Sequence, residues 1–270
     1  MSKFLFILAH QLGNKCFYNT YRFLRRNENL SFAELLDDQE KNLRKIIKYS
    51  YENVPYYHML FKKLNLRPSD IKHIKDLEKL PILTKDIINK NKDAFRPLDL
   101  NRINYNLRST GCTNGTPLNY RITNYDRFLG GALMYRGWGY AGYDLGDKMI
   151  FLGGASLDVG TNTNFSTLLH EFTRNLKKLS SFDMEDKALK KYVKTINSFK
   201  PKYIRGYASS IHYFANWIKE NDVKLQNLDA VFTTADQLFP YMRNKIEDVF
   251  NCPVFDNYGS YSIGCVTIDP

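Results

Sequence analysis

Short apolar runs of strand length alternate with helical stretches through the second half of this 270-residue chain. Residues 148–154, 202–207, 228–233 and 253–259 are the apolar runs, and such runs are typical of strands buried on both faces. Residues 189–199, 209–219 and 239–250 place apolar side chains at helical spacing. Because strands joined through helices favour parallel pairing, the sequence predicts an α/β fold with a mostly parallel mixed sheet.

The first part of the chain has a helical pattern instead. Ser31 and Glu34 have the spacing of a capping box, and Thr84 precedes another helical stretch. Pro55 interrupts the apolar periodicity, because proline lacks an N–H group and clashes with the preceding turn. The sequence therefore predicts a helical segment over residues 1–104, packed on an α/β region over residues 105–270.

Positive charge is concentrated in that helical segment. Residues 1–108 carry a net charge of +9, and the remaining residues carry only +2 of the total of +11. Either a lysine-coated solvated face or an anionic partner, such as a membrane surface, would account for this asymmetry. Nucleic acid has only the net charge in its favour, so no specific nucleic-acid partner is predicted.

The four cysteines form no CxxC pair and have no histidine at ligand spacing, which favours a reduced protein without structural zinc. No apolar run approaches the roughly 20 residues that a membrane-spanning helix needs. The sequence therefore predicts a cytoplasmic location.

A dense group of glycines and hydroxyl residues, Ser109-Thr-Gly-Cys-Thr-Asn-Gly-Thr-Pro-Leu118, lies between strand-like segments. The backbone N–H groups and hydroxyls of such a loop suit phosphate oxygens. It is not a Walker loop, because Thr-Pro follows the second glycine where that motif has lysine. From this segment alone, a turn-rich surface loop remains an equal alternative.

Together with four other stretches, this loop resembles the adenylate-forming (acyl-CoA synthetase-like) superfamily. The similar branch contains phenylacetate–coenzyme A ligases and capsular polysaccharide biosynthesis (CapK-like) proteins, whose loop runs Ser-Thr-Gly-Gly-Thr-Ser-Gly-Thr-Pro-Leu. The other stretches follow in the family order: Asn53-Val-Pro-Tyr-Tyr57 with Leu80-Pro-Ile-Leu-Thr-Lys85, Lys200-Pro-Lys-Tyr-Ile-Arg-Gly-Tyr-Ala-Ser-Ser210, Thr233-Thr-Ala-Asp-Gln-Leu238, and Phe255-Asp-Asn-Tyr-Gly-Ser260.

The resemblance implies ATP-dependent activation of a small carboxylic acid to an acyl-adenylate, with ATP and Mg²⁺ as cofactors and coenzyme A as one candidate acceptor. It implies three groups of site residues. The phosphates would bind Ser109, Thr110, Gly111, Thr113, Gly115 and Thr116. The adenine would bind Asp236, Asn257, Tyr258, Gly259 and Ser260. The acyl group would face Gly206, Tyr207 and Ser209, with the glycine leaving room for substrate to approach the backbone.

Each of these assignments has a structural alternative. Tyr258 is equally an ordinary core aromatic, Gly206 a strand-end turn and Asp236 a helix cap. His170, Glu171 and His212 lack a nucleophile or a second histidine at metal spacing, so satisfied or surface side chains are the favoured interpretation.

Several positions depart from the family pattern. Cys112 replaces a loop glycine, and Asn114 replaces a hydroxyl residue. Ser262 stands where the family has a glutamate that helps to hold Mg²⁺, and a neutral hydroxyl is a weaker ligand for a hard dication. The adenylate-forming region also ends early relative to the family, after an apolar run at 263–268 that suggests a parallel strand.

The departures make the α/β region incomplete at its carboxy end and predict little or no adenylation by this chain alone. A homodimer or a second polypeptide would complete the site. The alternative is a non-catalytic binding protein that docks on a polysaccharide-assembly complex or an anionic membrane surface through its basic helices.

Overall fold

The computed structural model of the chain describes residues 3–110, 117–154, 165–182, 184–260 and 264–269. These residues form two compact units, one of residues 1–24 with 125–270 and the other of residues 25–124. The proposed boundary between residues 104 and 105 stays a prediction. The first strand starts at Tyr105, and among the described residues only helices precede it.

The unit of residues 25–124 is mainly helical. Its elements are the end of α2 (Phe17–Asn27), α3 (Phe32–Asn53), α4 (Pro55–Lys63), α5 (Lys85–Lys90) and the antiparallel strands β1 (Tyr105–Ser109) and β2 (Asn119–Thr123). The predicted capping signals are confirmed: Ser31 and Glu34 form a capping box on α3, and Thr84 accepts a hydrogen bond from the Ile87 N–H. Pro55 separates α3 from α4 and occupies the first turn of α4, where its missing N–H costs nothing.

The unit of residues 1–24 and 125–270 contains a six-stranded sheet. Its elements are α1 (Lys3–Gly13), most of α2, α6 (Asn124–Trp138), β3 (Met149–Gly153), α7 (Phe165–Arg174), β4 (Leu176–Ser180), α8 (Asp186–Phe199), β5 (Tyr203–Tyr207), α9 (Ala208–Glu220), β6 (Ala230–Thr234), α10 (Pro240–Phe250), β7 (Val254–Ser260) and β8 (Gly264–Asp269). The strand order is β4-β3-β5-β6-β7-β8, and the first five strands are parallel. The predicted α/β fold with an amino-terminal helical region is confirmed.

Helices cover both faces of this sheet. On one face, side chains of α8, α9 and α10 pack on Ile150, Ile204 and Val231. On the other face, side chains of α1, α2 and α6 form an aromatic-rich core with Tyr203 and Phe232. Neighbouring residues of a strand therefore alternate between two buried cores, which explains the continuous apolar runs of the sequence.

The last strand corrects one expectation. The run at 263–268 was predicted to be a parallel strand, but β8 pairs antiparallel with β7, with Asn257 opposite Ile268. Only three residues separate the two strands, and so short a connection joins antiparallel strands, whereas parallel strands need a crossover of a dozen or more residues.

Lys177 and Lys178 form an adjacent pair of charged residues in this unit. They lie on β4, the edge strand beside β3. Lys177 Nζ is 3.1 Å from a Glu171 carboxylate oxygen, which is buried at the end of α7. Lysines on an edge strand discourage pairing with a further strand, so this charged pair protects the edge of the sheet.

Candidate functional site

The carboxyl ends of β5, β6 and β7 place three polar side chains in one row. Tyr207 pairs with Thr234, and Thr234 pairs with Asn257. Residues that pair in parallel strands point to the same face, so these three side chains form a strand-end row beyond the aromatic core. Ligands of open α/β sheets bind outside the carboxyl ends of the strands. The row contains Tyr207, which was predicted to face the acyl group, and Asn257, which was predicted to bind adenine.

Asn257 is the most informative member of the strand-end row. Its side chain is only 8% exposed, and within the described part of the chain neither its Nδ2 nor its Oδ1 atom has a hydrogen-bond partner. A buried polar group without a partner costs about 1–3 kcal/mol. This carboxamide therefore offers a donor and an acceptor that a ligand at the strand ends could satisfy.

Arg205 adds positive charge to the same side of β5, two residues before Tyr207. Its guanidinium lies 5.2 Å from the ring centroid of Trp138 and 5.4 Å from that of Phe151, so the cation contacts two aromatic rings. Sequence reasoning did not select Arg205. The available signal was a single charged residue inside the otherwise uncharged strand Tyr203–Tyr207.

The turn after β6 directs the Asp236 side chain towards the start of α9, which lies in the predicted acyl-binding segment. Ala235 has a φ of 73°, and the Asp236 N–H donates to the Thr234 carbonyl at 2.9 Å. This combination describes a γ-turn of the strained kind, which a residue with a Cβ rarely adopts. The Asp236 carboxylate accepts hydrogen bonds from the Ala208 and Ser209 N–H groups at 2.6 and 3.0 Å. Asp236 therefore caps the start of α9, where Tyr207 supplies no side-chain cap.

We expect Asp236→Ala to lower the free energy of unfolding by about 1–2 kcal/mol, because two N–H groups at the start of α9 lose their acceptor. Asp236→Asn should restore part of this loss, since an amide oxygen still accepts. Urea unfolding followed by tryptophan fluorescence measures both effects. Asp37→Ala is the control, because Asp37 pairs with Lys41 on the surface of α3 and should change stability by under about 0.5 kcal/mol. Equal effects of the Asp236→Ala and Asp37→Ala substitutions would contradict the capping role.

Gly206 lies on the opposite face of the sheet from the strand-end row. A Cβ atom at this position would lie 2.2 Å from the Leu152 carbonyl oxygen and 3.2 Å from the Ile211 side chain. Close packing between β5, β3 and α9 therefore requires a glycine here, independently of any substrate. In the neighbouring strand, the Thr233 hydroxyl donates a hydrogen bond to an Asp256 carboxylate oxygen at 2.6 Å. This oxygen of Asp256 therefore already has a partner within the protein.

The other predicted adenine residues lie at the end of β7. Tyr258 is 72% exposed, so it is not a core aromatic, and its ring is accessible to a flat ligand. Gly259 and Ser260 continue β7, and the register with β8 shifts between Tyr258 and Gly259. Ser262 lies outside the described residues.

The predicted phosphate loop belongs to the other unit. Ser109 ends β1, and Thr110 exchanges two hydrogen bonds of 3.0 Å with Leu118, one through its N–H and one through its hydroxyl. These bonds close the base of the loop and confirm that it joins two strands. Four of the predicted phosphate residues lie outside the described residues: Gly111, Thr113, Gly115 and Thr116.

The described residues contain no group of three or more His, Cys, Asp and Glu side chains arranged for a metal ion. His212, which the sequence left without a second histidine at metal spacing, has its Nε2 atom 3.1 Å from the Asn216 amide nitrogen. Burial lowers the pKa of His212.

None of the helices among the described residues has the length and apolar character that crossing a bilayer requires.

No model of a protein family matches the sequence. The chain is 27% identical to Protein CapK of Staphylococcus aureus over 262 residues, covering 94% of this chain and 55% of that protein. It is 36% identical to the phenylacetate-coenzyme A ligase of Escherichia coli K12 over 64 residues, or 24% of this chain and 15% of that enzyme. The match to Protein CapK thus spans about half of that relative's length.

Solved structures share the fold. A 2-hydroxyisobutyryl-CoA ligase in the postadenylation state, in complex with R3-HIB-AMP, superimposes with a TM-score of 0.64 at 17% identity, covering 87% of this chain and 50% of the ligase. An open conformation of the same ligase, in complex with 2-HIB-AMP and CoA, also gives a TM-score of 0.64 at 17% identity, with 86% and 55% covered. The ordered motifs, the α/β fold and these similarities agree: the chain is similar to Protein CapK over most of its length, and it shares the fold of a CoA ligase.

Proposed function

We propose that this chain binds ATP and a small carboxylic acid for acyl-adenylate formation. In that reaction a carboxylate oxygen attacks the α-phosphorus, the bond to the β-phosphate oxygen breaks, and pyrophosphate leaves. A thiol, with coenzyme A as the leading candidate, then takes the acyl group and releases AMP. The unsatisfied Asn257 carboxamide in the strand-end row carries the proposal, because adenine presents complementary donors and acceptors.

The charges near the row suit this chemistry. The reaction brings a carboxylate against a negatively charged phosphate, so the site must supply positive charge and oriented donors. Arg205 provides a cation on the same side of β5 as the row, in contact with the rings of Trp138 and Phe151. Tyr207 and Thr234 place two hydroxyl side chains in the row itself, and the exposed ring of Tyr258 offers a stacking surface for the base.

The described residues do not fit a Mg²⁺ ion. Magnesium prefers carboxylate ligands together with substrate phosphates. Asp256 is hydrogen-bonded to Thr233, and Asp236 to the start of α9. Ser262 replaces the glutamate that the family resemblance implies. We therefore propose that nucleotide binding is retained and that adenylation by this chain is slow.

ATP–pyrophosphate exchange across a panel of aromatic and fatty acids tests this proposal. We expect the chain itself to show little acid-dependent exchange, and Ser262→Glu to raise exchange about tenfold or more in the presence of Mg²⁺, because it restores a carboxylate ligand. Ser262→Gln is the matched control, since it has similar size without the charge. Robust exchange by the unaltered chain would contradict the predicted inactivity, and failure to bind AMP in calorimetry would contradict the proposed function.

Polysaccharide biosynthesis is the proposed setting of this activity. The proposal rests on the CapK-like resemblance of the five motifs and on the similarity to Protein CapK. Deleting the gene should lower the amount of surface polysaccharide, and unchanged polysaccharide would count against this setting. A second candidate function, docking on an anionic surface, is favoured by the exposed apolar residues of α1.

A further inference from the structure

Helix α1 exposes apolar side chains on the face that points away from the sheet. Its inward face buries Phe6 and His10, and burial lowers the pKa of His10 to about 3, so that face stays uncharged at neutral pH. Phe4, Leu8 and Leu12 are 72%, 40% and 82% exposed. These three residues follow the four-residue spacing that places side chains on one side of a helix.

Helix α7 packs against α1 and extends the same kind of surface. Its residues Leu168, Leu169 and Phe172 are each exposed by half or more. The six side chains on the two helices are called the α1–α7 face here. Single exposed apolar residues are common on proteins, whereas six of them on two helices that pack together are typical of an interaction surface.

Positive charge is concentrated in α1, α2 and the turn between them. Residues 3–27 contain five Lys and Arg residues and no Asp or Glu. Helix α2 buries Phe17 and Tyr21 in the same core as Phe6 of α1, so the outward sides of both helices point away from the sheet. Lys15 and Arg22 are exposed, and the described residues give neither of them an ion pair, whereas Lys3 pairs with Asp144.

We propose that the α1–α7 face docks on an anionic lipid surface. Helices that lie in a membrane interface insert apolar side chains among the acyl chains and place Lys and Arg near the headgroups. Negative headgroups complement the net positive charge of α1 and α2. A second copy of the chain fits less well, because two such faces would bring like charges together.

Co-sedimentation of the full chain with vesicles tests the proposal. We expect binding to vesicles that mix phosphatidylcholine with phosphatidylglycerol, and much weaker binding to phosphatidylcholine alone or at high salt. Phe4→Ser/Leu8→Ser/Leu12→Ser should lower the partition coefficient about tenfold or more. Lys15→Gln/Arg22→Gln should lower it about fivefold for each lost charge.

Matched substitutions in the unit of residues 25–124 serve as controls. They show whether vesicle binding depends on the α1–α7 face or on the total exposed apolar area and charge of the protein. Leu98→Ser/Leu107→Ser alters two residues that are 71% and 67% exposed, and Lys62→Gln/Lys63→Gln removes two charges from α4. Both pairs should leave vesicle binding unchanged. Circular dichroism of each variant verifies that it is folded.

Three results would overturn the proposal. The first is absence of binding to either kind of vesicle, and the second is equal binding with and without phosphatidylglycerol. The third is a concentration-dependent dimer, detected by light scattering, that the α1 triple substitution abolishes, because a second copy would then cover the face. None of these measurements depends on adenylation, so their outcome is separate from that of the proposed function.

Discussion

Gly206→Ala should destabilise the sheet unit by about 3 kcal/mol or more. The new Cβ atom would lie 2.2 Å from the Leu152 carbonyl oxygen, and Leu152 and Gly206 are paired neighbours in β3 and β5. Relief of this clash requires movement of one central strand against another, rather than a change in a flexible side chain. Overpacking of a well-packed core costs typically about 1–3 kcal/mol, and a backbone contact lies at the upper end.

Urea unfolding measured by tryptophan fluorescence reports directly on this unit, because Trp138 and Trp217 both belong to it. Gly131→Ala provides the matched control. Gly131 lies within α6, and its Cβ would have no nearer neighbour than the Tyr135 ring at 4.0 Å. Alanine favours a helix over glycine by about 0.5–1 kcal/mol, so the same substitution should stabilise the protein at this position.

The two outcomes also separate packing from substrate binding at Gly206. If the glycine served only to admit an acyl group, Gly206→Ala would keep the stability of the unaltered chain and lose only ligand binding. We expect the reverse order of effects, with the loss of stability dominant. An unchanged urea midpoint for Gly206→Ala would contradict the packing role.

The sequence predicted much of the sheet unit, because the apolar patterns that identify strands and helices extend over only a few neighbouring residues. The strand at 202–207 and the helix at 209–219 appear as β5 and α9 within one or two residues, since continuous apolar runs and helical spacing identify buried strands and helices. The direction of β8 was wrong, although the three-residue connection that fixes it was visible in the sequence. The error came from extending the parallel pattern of the preceding strands.

The roles of the candidate site residues depend on contacts between distant parts of the chain, which the spacing of residues in the sequence does not reveal. Asp236 reaches the Ala208 N–H across 28 residues, and Gly206 is fixed by the Leu152 carbonyl on another strand. Asp236 was proposed as either a base-pocket residue or a helix cap, and the structure shows the cap. Its adenine role stays a prediction. Thr234 and Arg205 were missed because their importance depends on the register of β5, β6 and β7.

Fold and function make different demands at the strand ends. A stable core satisfies every buried polar group, whereas a binding site keeps some groups ready for a ligand. The strained turn at Ala235 and the unsatisfied Asn257 carboxamide lie on neighbouring strands at the same end of the sheet. Their coincidence supports a ligand at this edge, and it yields a substitution for which stability and binding should change in opposite directions.

Asn257→Leu should raise the free energy of unfolding by about 1–2 kcal/mol and weaken AMP binding about tenfold or more. Leucine has a similar volume and removes two buried polar atoms that lack partners among the described residues, so the desolvation cost disappears. It also removes the donor and acceptor proposed for adenine, and a lost tenfold in affinity corresponds to about 1.4 kcal/mol. Urea unfolding and calorimetric titration with AMP measure the two effects.

Asn197→Leu is the matched control for that substitution. The Asn197 amide donates to the Lys224 carbonyl at 3.2 Å and accepts from the Gln226 N–H at 3.0 Å. Its replacement removes both hydrogen bonds at partly exposed positions, so it should destabilise the protein by about 0.5–1.5 kcal/mol and leave AMP affinity unchanged. If Asn257→Leu instead destabilised the protein and bound AMP normally, its carboxamide would serve the fold, and the nucleotide would have to bind elsewhere.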